Sequence, residues 1–195
     1  MKNYLVVDNW FSETEKLKVL DELDYTRQHN SHRTEGRHGA IVNNNTLAKC
    51  NRILPKQDYF NNSSISHLMT KMQTQGFHQK VKNAFANSGT ALGEQFSETN
   101  RSNTIINYYE NNDEYETHYD VFQFTALIWL FKEPQMFEGG DLTFPKIDRT
   151  VKCVNNRLVL FPCFYYHKVS KISMKTKKEG FGRYSLTHFF YRTQD

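Results

Sequence analysis

The chain has 195 residues, of which 38% are hydrophobic and 14% aromatic, so it is long and apolar enough to bury the core of one domain. Its 25 basic and 21 acidic residues leave a net charge of +4, which lacks the strong basic excess of a typical nucleic-acid-binding domain. The sequence has no long apolar run and no apolar leader after Met1, so we expect a soluble, cytoplasmic protein without a membrane segment. Three cysteines without metal-type spacing fit a reducing compartment.

The first elements that the sequence predicts are a short strand and a helix. Residues 4–8 form a short apolar run that is typical of a strand. Ser12 and Glu15 then show the capping-box pattern, in which a serine and a glutamate three residues later satisfy each other's backbone amides. Leucines at helical spacing follow, so a helix is predicted to continue to about Asp24.

Polar residues dominate the next segment. Residues 28–45 show no apolar periodicity, which predicts a long loop, and we expect residues 29–51 to act as a lid or binding loop. The histidines of this segment match no standard pattern of metal ligands. Apolar residues at helical spacing return in residues 63–87 and predict a helical region, with a stop signal at Ser88-Gly89.

From residue 91 the pattern changes to β. Residues 104–109, 119–131 and 182–191 are rich in aromatic and branched side chains, and polar or glycine-containing turns separate them. Many short strands after two helical regions are typical of an antiparallel jelly-roll barrel, the architecture of cupin-like proteins. The predicted fold is therefore mainly β with buttressing helices.

One short motif in the β-rich part carries metal-binding chemistry. On a strand, His118 and Asp120 would project from the same face, so an imidazole and a carboxylate could reach one ion. A second histidine from a distant strand would complete a face of two histidines and one carboxylate. This set leaves three coordination positions open and is typical of non-haem Fe(II) oxygenases. His167 is the candidate for the third ligand, and His188 is the alternative.

Five motifs in residues 100–191 stand in the order found in a known family. They are Ile106-Asn107-Tyr108-Tyr109-Glu110, then Tyr115-Glu116-Thr117-His118-Tyr119-Asp120, then Thr125-Ala126-Leu127-Ile128-Trp129-Leu130, then Glu138-Gly139-Gly140-Asp141-Leu142-Thr143-Phe144-Pro145, and finally His167-Lys168-Val169 with Arg183 after it. On these motifs the chain resembles the Fe(II)/2-oxoglutarate dioxygenases, in particular their prolyl-hydroxylase-like branch. The order of the motifs favours His167 over His188, which follows Arg183.

The resemblance implies a fold, a domain layout and a set of cofactors. The barrel would be a double-stranded β-helix within a single domain over residues 1–195, with a helical support region in residues 1–90 and the β core in residues 91–195. The implied cofactor is Fe(II), the implied cosubstrates are 2-oxoglutarate and O2, and ascorbate is a candidate accessory factor.

The distal carboxylate of 2-oxoglutarate requires a cation, and the fixed fork of an arginine engages two oxygens at once. Arg183 is the candidate, and Ser185 lies at strand spacing from it, so both can face the same interior. The resemblance places Tyr108 beside 2-oxoglutarate. Trp129 stands where that branch often has a tyrosine, so it either contacts 2-oxoglutarate through its single N–H or packs the pocket wall.

The activity implied is hydroxylation of a prolyl or other residue in a peptide or protein, with decarboxylation of 2-oxoglutarate to succinate. Two alternatives stay open. The same chemistry could act on a free amino acid or small metabolite, or the chain could be a cupin-like binding module without turnover. Substrate specificity in such folds depends on loops, so the sequence does not choose between these.

Overall fold

Two antiparallel β-sheets face each other in this protein, and helices cover the outer side of the larger sheet. The computed structural model describes residues 4–33, 41–42, 45–53, 75–86 and 92–194. Within these ranges no helix is long and apolar enough to cross a membrane.

The N-terminal helix is longer than the sequence predicts. The first elements are strand β1 (Leu5–Val7) and helix α1 (Glu13–Asn30). The predicted capping box is confirmed, because Ser12 Oγ accepts from the Glu15 amide at 3.3 Å and Glu15 Oε2 accepts from the Ser12 amide at 3.0 Å. The predicted end at Asp24 is wrong, since the polar last turns are held against the sheet. Arg27 Nε there donates to the Tyr184 hydroxyl at 3.1 Å, and such tertiary contacts stabilise a helix that propensity alone would not.

The polar segment after α1 contains short strands rather than one long loop. These are β2 (Ser31–Arg33), β3 (Ile41–Val42), β4 (Asn45–Thr46), β5 (Ala48–Lys49) and β6 (Asn51–Ile53). The loop predicted over residues 28–45 is therefore wrong at these strands. Their pairing is set by partners elsewhere in the chain, which leaves no periodicity in such short runs. The remaining residues of the predicted lid lie outside the described ranges, apart from single residues that join these strands.

The helical region predicted over residues 63–87 is confirmed in part, because helix α2 spans Gln75–Ala86. The short helix α3 (Gly93–Ser97) was not predicted, since the sequence placed the change to β at residue 91 and the first strand after it begins at Arg101. The rest of the predicted helical region and its stop at Ser88-Gly89 lie outside the described residues.

Most of the remaining strands build the two facing sheets, while β10 and β15 pair with each other in a separate two-stranded sheet. They are β7 (Arg101–Tyr109), β8 (Glu114–His118), β9 (Phe124–Leu130), β10 (Phe137–Glu138), β11 (Leu142–Phe144), β12 (Arg149–Val151), β13 (Arg157–Pro162), β14 (His167–Val169), β15 (Ser173–Met174) and β16 (Arg183–Tyr191), with a 3-10 turn at Pro145–Ile147. The larger sheet has the order β1-β13-β9-β16-β7-β6-β2, and the smaller sheet has the order β12-β11-β14-β8-β5. Because β5 joins the smaller sheet and β6 the larger one, the chain crosses between the sheets at this edge.

Alternation along the strands divides the apolar residues into two cores. Tyr184 and Leu186 of β16 belong to the core under the helices, where Phe96 of α3 packs edge-on against Phe190. The second core lies between the sheets and contains Trp129 together with other aromatic residues. This arrangement confirms the predicted fold class, a mainly β double-stranded β-helix with buttressing helices, although the sheets remain two separate layers. The single-domain layout stays a prediction.

Candidate metal centre

Two histidines meet at the centre of the smaller sheet. His118 is the last residue of β8 and His167 the first of β14, and the two lie directly opposite each other in the register of these neighbouring strands. Their ring centroids are 4.2 Å apart. Directly opposed residues on paired strands point to the same face, so both imidazoles reach the space between the sheets.

Asp120 completes the cluster from just beyond the strand. Strand β8 ends at His118, so the strand spacing expected from the sequence does not position this carboxylate. Its backbone amide instead donates to the Cys163 carbonyl at 3.0 Å. The carboxylate oxygens then lie 3.8 Å from His118 Nε2 and 3.5 Å from His167 Nε2. One ligand atom from each of the three residues lies within 4.8 Å of the other two.

Hydrogen bonds orient the three groups. His118 Nδ1 contacts the Glu116 carbonyl at 2.7 Å, and His167 Nδ1 contacts the Tyr165 carbonyl at 2.8 Å. A carbonyl can only accept, so Nδ1 carries the proton on both rings and Nε2 presents its lone pair to the cluster. Thr125 Oγ1 donates to Asp120 Oδ2 at 2.5 Å and fixes the carboxylate.

Burial keeps both imidazoles neutral. Loss of hydration lowers the pKa of His118 to about 4, with repulsion from His167 as a further cause, and burial likewise lowers the pKa of His167 to about 4. Burial also raises the pKa of Asp120, against the hydrogen bond from Thr125. A neutral imidazole with an oriented lone pair is the form in which histidine binds a metal.

Aromatic rings hold the two imidazoles in position. Tyr115 stacks on the His118 ring at a centroid distance of 3.7 Å, and Phe161 packs edge-on against the His167 ring at 4.8 Å. The cavity beside the cluster has polar lining residues from the larger sheet, namely Asn107, Thr125, Ser185 and Thr187.

Arg183 is a fully buried cation on the inner face of β16. Its Nη1 donates to the Gly140 carbonyl at 2.9 Å, and its guanidinium lies 4.3 Å above the Tyr109 ring and 5.7 Å from the Trp129 ring. Within the described ranges, Nε and Nη2 have no hydrogen-bond partner. The nearby Cys153 thiol, whose pKa burial raises to about 11, is only a weak acceptor. A buried charge with two unused donors is costly unless an oxyanion pairs with it.

The glycine pair before β11 shapes this end of the pocket. Gly140 has a φ of +76°, and a Cβ atom there would lie 3.3 Å from Arg183 Cδ. Gly139 has a φ of +81°, and a Cβ atom there would lie 2.0 Å from the Lys171 carbonyl oxygen. Only glycine fits both positions without strain. The sequence marked this pair only as turn punctuation, whereas the structure shows that it brings a carbonyl to Arg183.

Comparison with known proteins agrees with this geometry. Residues 104–191 match the family described as the 2OG-Fe(II) oxygenase superfamily. This family model covers the β-rich part of the chain from β7 to β16. The family's description names Fe(II) and 2-oxoglutarate, which agrees with the cluster of two histidines and one aspartate. Comparison with curated proteins gave no significant match.

Solved structures of two prolyl hydroxylases and of a 2OG-Fe(II) oxygenase family protein share the fold. A prolyl-4-hydroxylase from Pseudomonas putida has a TM-score of 0.62 and 18% identity, over 98% of this chain and 94% of that one. The viral collagen prolyl hydroxylase of Paramecium Bursaria Chlorella virus-1 has a TM-score of 0.54 and 12% identity, over 97% and 95%. A 2OG-Fe(II) oxygenase family oxidoreductase from Burkholderia pseudomallei has a TM-score of 0.62 and 12% identity, over 98% and 86%.

Tyr108 does not reach the cavity beside the metal-ligand cluster. Its ring belongs to the core under the helices, and its hydroxyl accepts from the Gly182 amide at 2.9 Å. Tyr109 lies on the other face, directly opposite Arg183 in the register, and lines the cavity. The predicted position of Tyr108 is therefore wrong, and the physical reason is the two-residue period of a strand. Counting that period from Arg183 across the paired strand would have found Tyr109.

The other predicted residues separate by face in the same way. Ser185 lies two residues from Arg183 on the inner face, opposite Trp129, and lines the cavity. Trp129 is fully buried in the core between the sheets, and its Nε1 has no hydrogen-bond partner among the described residues. His188 lies in register opposite Thr104, whose hydroxyl is 2.8 Å from its Nδ1. His188 follows Arg183 by an odd number of residues, so it faces away from the cluster.

Proposed function

We propose that this chain is an Fe(II)- and 2-oxoglutarate-dependent hydroxylase in which His118, Asp120 and His167 bind the metal and Arg183 binds 2-oxoglutarate. The observation that carries the proposal is the pairing of two complementary features on one interior. One is a cluster of three metal-binding groups, and the other is a buried guanidinium with two unused donors. When bound, the metal and 2-oxoglutarate would supply an O2-dependent oxidation that yields succinate and CO2.

The ligand cluster fits an Fe(II) ion by the chemistry of its donors. Two neutral imidazole nitrogens and one carboxylate suit Fe(II) and leave positions for exchangeable ligands. The carbonyls of Glu116 and Tyr165 fix the two tautomers, and Thr125 holds the carboxylate. These residues orient the donors before any metal arrives, which reduces the cost of binding.

The pocket beyond the cluster fits a dicarboxylate. Arg183 would engage the distal carboxylate through Nε and Nη2 in the bidentate geometry that guanidinium favours. Ser185 supplies a hydroxyl on the same face, and we assign to Tyr109 the role first given to Tyr108. Trp129 lies 5.7 Å from the Arg183 guanidinium, and its N–H, which has no hydrogen-bond partner among the described residues, would be available to a cosubstrate oxygen.

The substrate we propose is a prolyl or other residue in a peptide or protein. An exposed apolar rim, formed by residues close to Asp120 and His167 in the chain, consists of Tyr119, Val121, Phe164 and Tyr166, with exposed fractions of 55%, 85%, 65% and 42%. The rings of Tyr119 and Tyr166 contact each other edge-on at 5.5 Å. Grouped exposed aromatic residues at a site favour binding of a polypeptide, since aromatic anchors are enriched where proteins bind one another. The prolyl hydroxylases among the similar structures support a prolyl target.

Turnover with defined substrates tests this proposal. Full-length protein with Fe(II) and 2-oxoglutarate should form succinate faster with synthetic prolyl peptides than with free proline, and mass spectrometry should find one added oxygen atom on the peptide. Stimulation by free amino acids alone would favour the small-metabolite alternative. Stable binding of peptides without any consumption of 2-oxoglutarate would favour a binding module instead.

The rim gives a second, sharper test. Replacing Phe164 and Tyr166 by serine should raise the KM for the peptide, while consumption of 2-oxoglutarate without peptide changes little. Leu17→Ser is the matched control, because Leu17 is equally exposed at 58% but lies on α1, away from the site. An unchanged KM in the double variant would remove the rim from the binding surface.

A further inference from the structure

Arg52 on β6 occupies an unassigned position on the inner face of the larger sheet. It lies directly opposite Asn107 of β7, and Asn107 lies directly opposite Ser185 of β16. Residues opposed in this way share a face. Because Asn107 and Ser185 both line the cavity, Arg52 also projects toward the cavity side of the sheet.

The contacts of Arg52 leave most of its hydrogen-bonding capacity unused. Its Nε donates to Asn107 Oδ1 at 2.6 Å, which anchors the planar head of the side chain. Among the residues that the structure describes, no carboxylate lies within ion-pair distance of it. Arg52 is half-buried, so its Nη atoms can meet a molecule that enters from solvent.

Nearby carboxylates already have other partners. Glu110 accepts from Asn51 at 3.0 Å, and Glu114 pairs with Lys49 at 3.3 Å. The positive charge of Arg52 is therefore not used by its own neighbours. A half-buried arginine that is fixed by an amide and lacks an acidic partner is suited to an oxyanion from outside the chain.

The chain brings Arg52 toward the metal end of the cavity, because it lies four residues after Ala48, which pairs with Tyr115 of β8. Burial raises the pKa of Tyr109 and of Tyr115, and the charge of Arg52 opposes that rise in both. Tyr115 stacks on His118. Arg183 projects from the same face but from a strand two positions away, a separation of about 10 Å between the two backbones. At this separation each arginine can bind a carboxylate of its own.

We propose that Arg52 binds a carboxylate of the substrate and thereby selects acidic substrates. This inference rests on the proposed function, because it assigns a substrate group to the same site. The carboxylate can come from an acidic side chain next to the oxidised residue of a peptide, or from a small carboxylic acid. Asn107 acts as the positioning residue that holds the guanidinium in the plane of the incoming group.

A binding experiment without turnover tests the inference. Fluorescent prolyl peptides with glutamate or glutamine beside the proline are titrated into anaerobic protein with Fe(II) and 2-oxoglutarate, and a second pair compares N-acetylproline with N-acetylprolinamide. Wild-type protein should bind the charged member of at least one pair about tenfold more tightly, since one charge-assisted hydrogen bond is expected to contribute roughly that much. In Arg52→Gln the ratio should fall to within about twofold, and Arg52→Lys, which keeps the charge but loses the fork, should lie between.

Two controls make the result specific. Arg149→Gln removes an exposed arginine whose side chain, among the described residues, hydrogen-bonds to the Asp148 carbonyl alone, so it reports any general effect of net charge and should keep the tenfold ratio. The neutral peptide does not use Arg52, so its unchanged affinity reports that each variant is folded.

Each outcome decides one claim. Tighter binding of the glutamate peptide than of the glutamine peptide supports Arg52 as the binding residue and a polypeptide substrate. A preference for N-acetylproline over N-acetylprolinamide alone supports Arg52 with a small carboxylic acid as substrate. No discrimination in wild-type protein, or the same ratio in Arg52→Gln, would overturn the inference. A loss of 2-oxoglutarate affinity in Arg52→Gln as large as that in Arg183→Ala would also overturn it, because Arg52 would then bind the cosubstrate. Wild-type protein that never consumes 2-oxoglutarate would contradict the proposed function instead, and the binding ratios would still test Arg52.

Discussion

Polar groups on the two faces of strand β16 differ in whether they have hydrogen-bond partners. On the outer face, the Tyr184 hydroxyl donates to Asp24 at 2.8 Å and accepts from Arg27 at 3.1 Å, and Lys132 pairs with Asp24 at 2.6 Å. On the inner face, Arg183 is completely buried, and two of its donors have no partner among the residues that the structure describes. Polar groups that satisfy one another stabilise the fold, whereas a buried polar group left unsatisfied indicates a place for a ligand. The comparison assigns stability to the outer network and binding to the inner one.

The largest effect is expected at the ligand cluster. Loss of an outer-shell partner alone costs metal affinity 10- to 100-fold, so His167→Ala should lower Fe(II) affinity by about three orders of magnitude. Anaerobic equilibrium dialysis measures this. His188→Gln is the control, since that histidine faces the outer side, and it should bind Fe(II) like wild type. The reverse result in the two variants would show that the ligand on the distal strand has been misassigned.

Arg183 should show a large effect on binding and none on stability. Truncating one partner of a buried charge pair costs roughly 2–5 kcal/mol, so Arg183→Ala should lower the affinity for 2-oxoglutarate by about two to three orders of magnitude. Arg183→Lys should lose about one order, because it keeps the charge without the fork.

The stability of the protein without 2-oxoglutarate should not decrease when the Arg183 guanidinium is removed. Without 2-oxoglutarate, Arg183→Met should be at least as stable to urea as wild type, because an apolar side chain replaces a buried cation whose donors are unsatisfied. A strong destabilisation would mean that the guanidinium supports the fold, and the distinction between the two faces would fail.

A change at Asp24 should affect the stability of the protein and not its affinity for 2-oxoglutarate. Asp24→Asn should lower the free energy of unfolding by about 2 kcal/mol, since hydrogen bonds to a charged group are lost, while 2-oxoglutarate affinity stays near wild type. Burial tends to raise the pKa of Asp24, but hydrogen bonds from Lys132 and Tyr184 outweigh it, so the folded-state pKa lies below 3.8. The stabilisation is therefore complete at neutral pH and disappears as the pH falls below about 4, through the folded-state pKa. A difference between variant and wild type that persists at pH 2 would contradict this.

The smallest effect concerns the tyrosine pair. Tyr109→Phe should weaken 2-oxoglutarate binding about fivefold, the contribution of one hydrogen bond, with little change in stability. Tyr108→Phe should do the reverse, because its hydroxyl bonds the Gly182 amide and does not reach the cavity. Calorimetric titration and thermal unfolding of both variants measure the two quantities. Equal loss of 2-oxoglutarate affinity in both variants would contradict the placement of Tyr109 and Tyr108 on opposite faces of β7.

Much of the site could be predicted from the sequence where the signal was local. The capping box of α1, the mainly β pattern after residue 91 and the spacing of Arg183 and Ser185 each depend on neighbouring residues, and the structure has all three. The short segment His118-Tyr119-Asp120 also contains two of the three clustered groups. In this segment, the residue types that suggested metal ligands in the sequence are the ones that the structure brings together.

The rest depended on partners far away in the chain. Choosing between Tyr108 and Tyr109 required the register of β7 against β16, because a one-residue error moves a side chain to the other face. Arg52 directly follows the predicted lid of residues 29–51, where the sequence predicted no strand, and pairing with β7 makes it part of one. Arg27 extends α1 because it meets Tyr184, more than 150 residues away.

One measurement tests the central claim that the cluster and Arg183 form a single site for metal and cosubstrate. Fe(II) is added to wild-type protein without oxygen, 2-oxoglutarate is titrated in, and the visible metal-to-ligand absorption band is followed. We expect wild-type protein to give a saturable band at one 2-oxoglutarate per iron. His167→Ala should give no band, and Arg183→Ala should give a band only at much higher 2-oxoglutarate concentrations. A band of full intensity in His167→Ala, or the wild-type midpoint in Arg183→Ala, would contradict it.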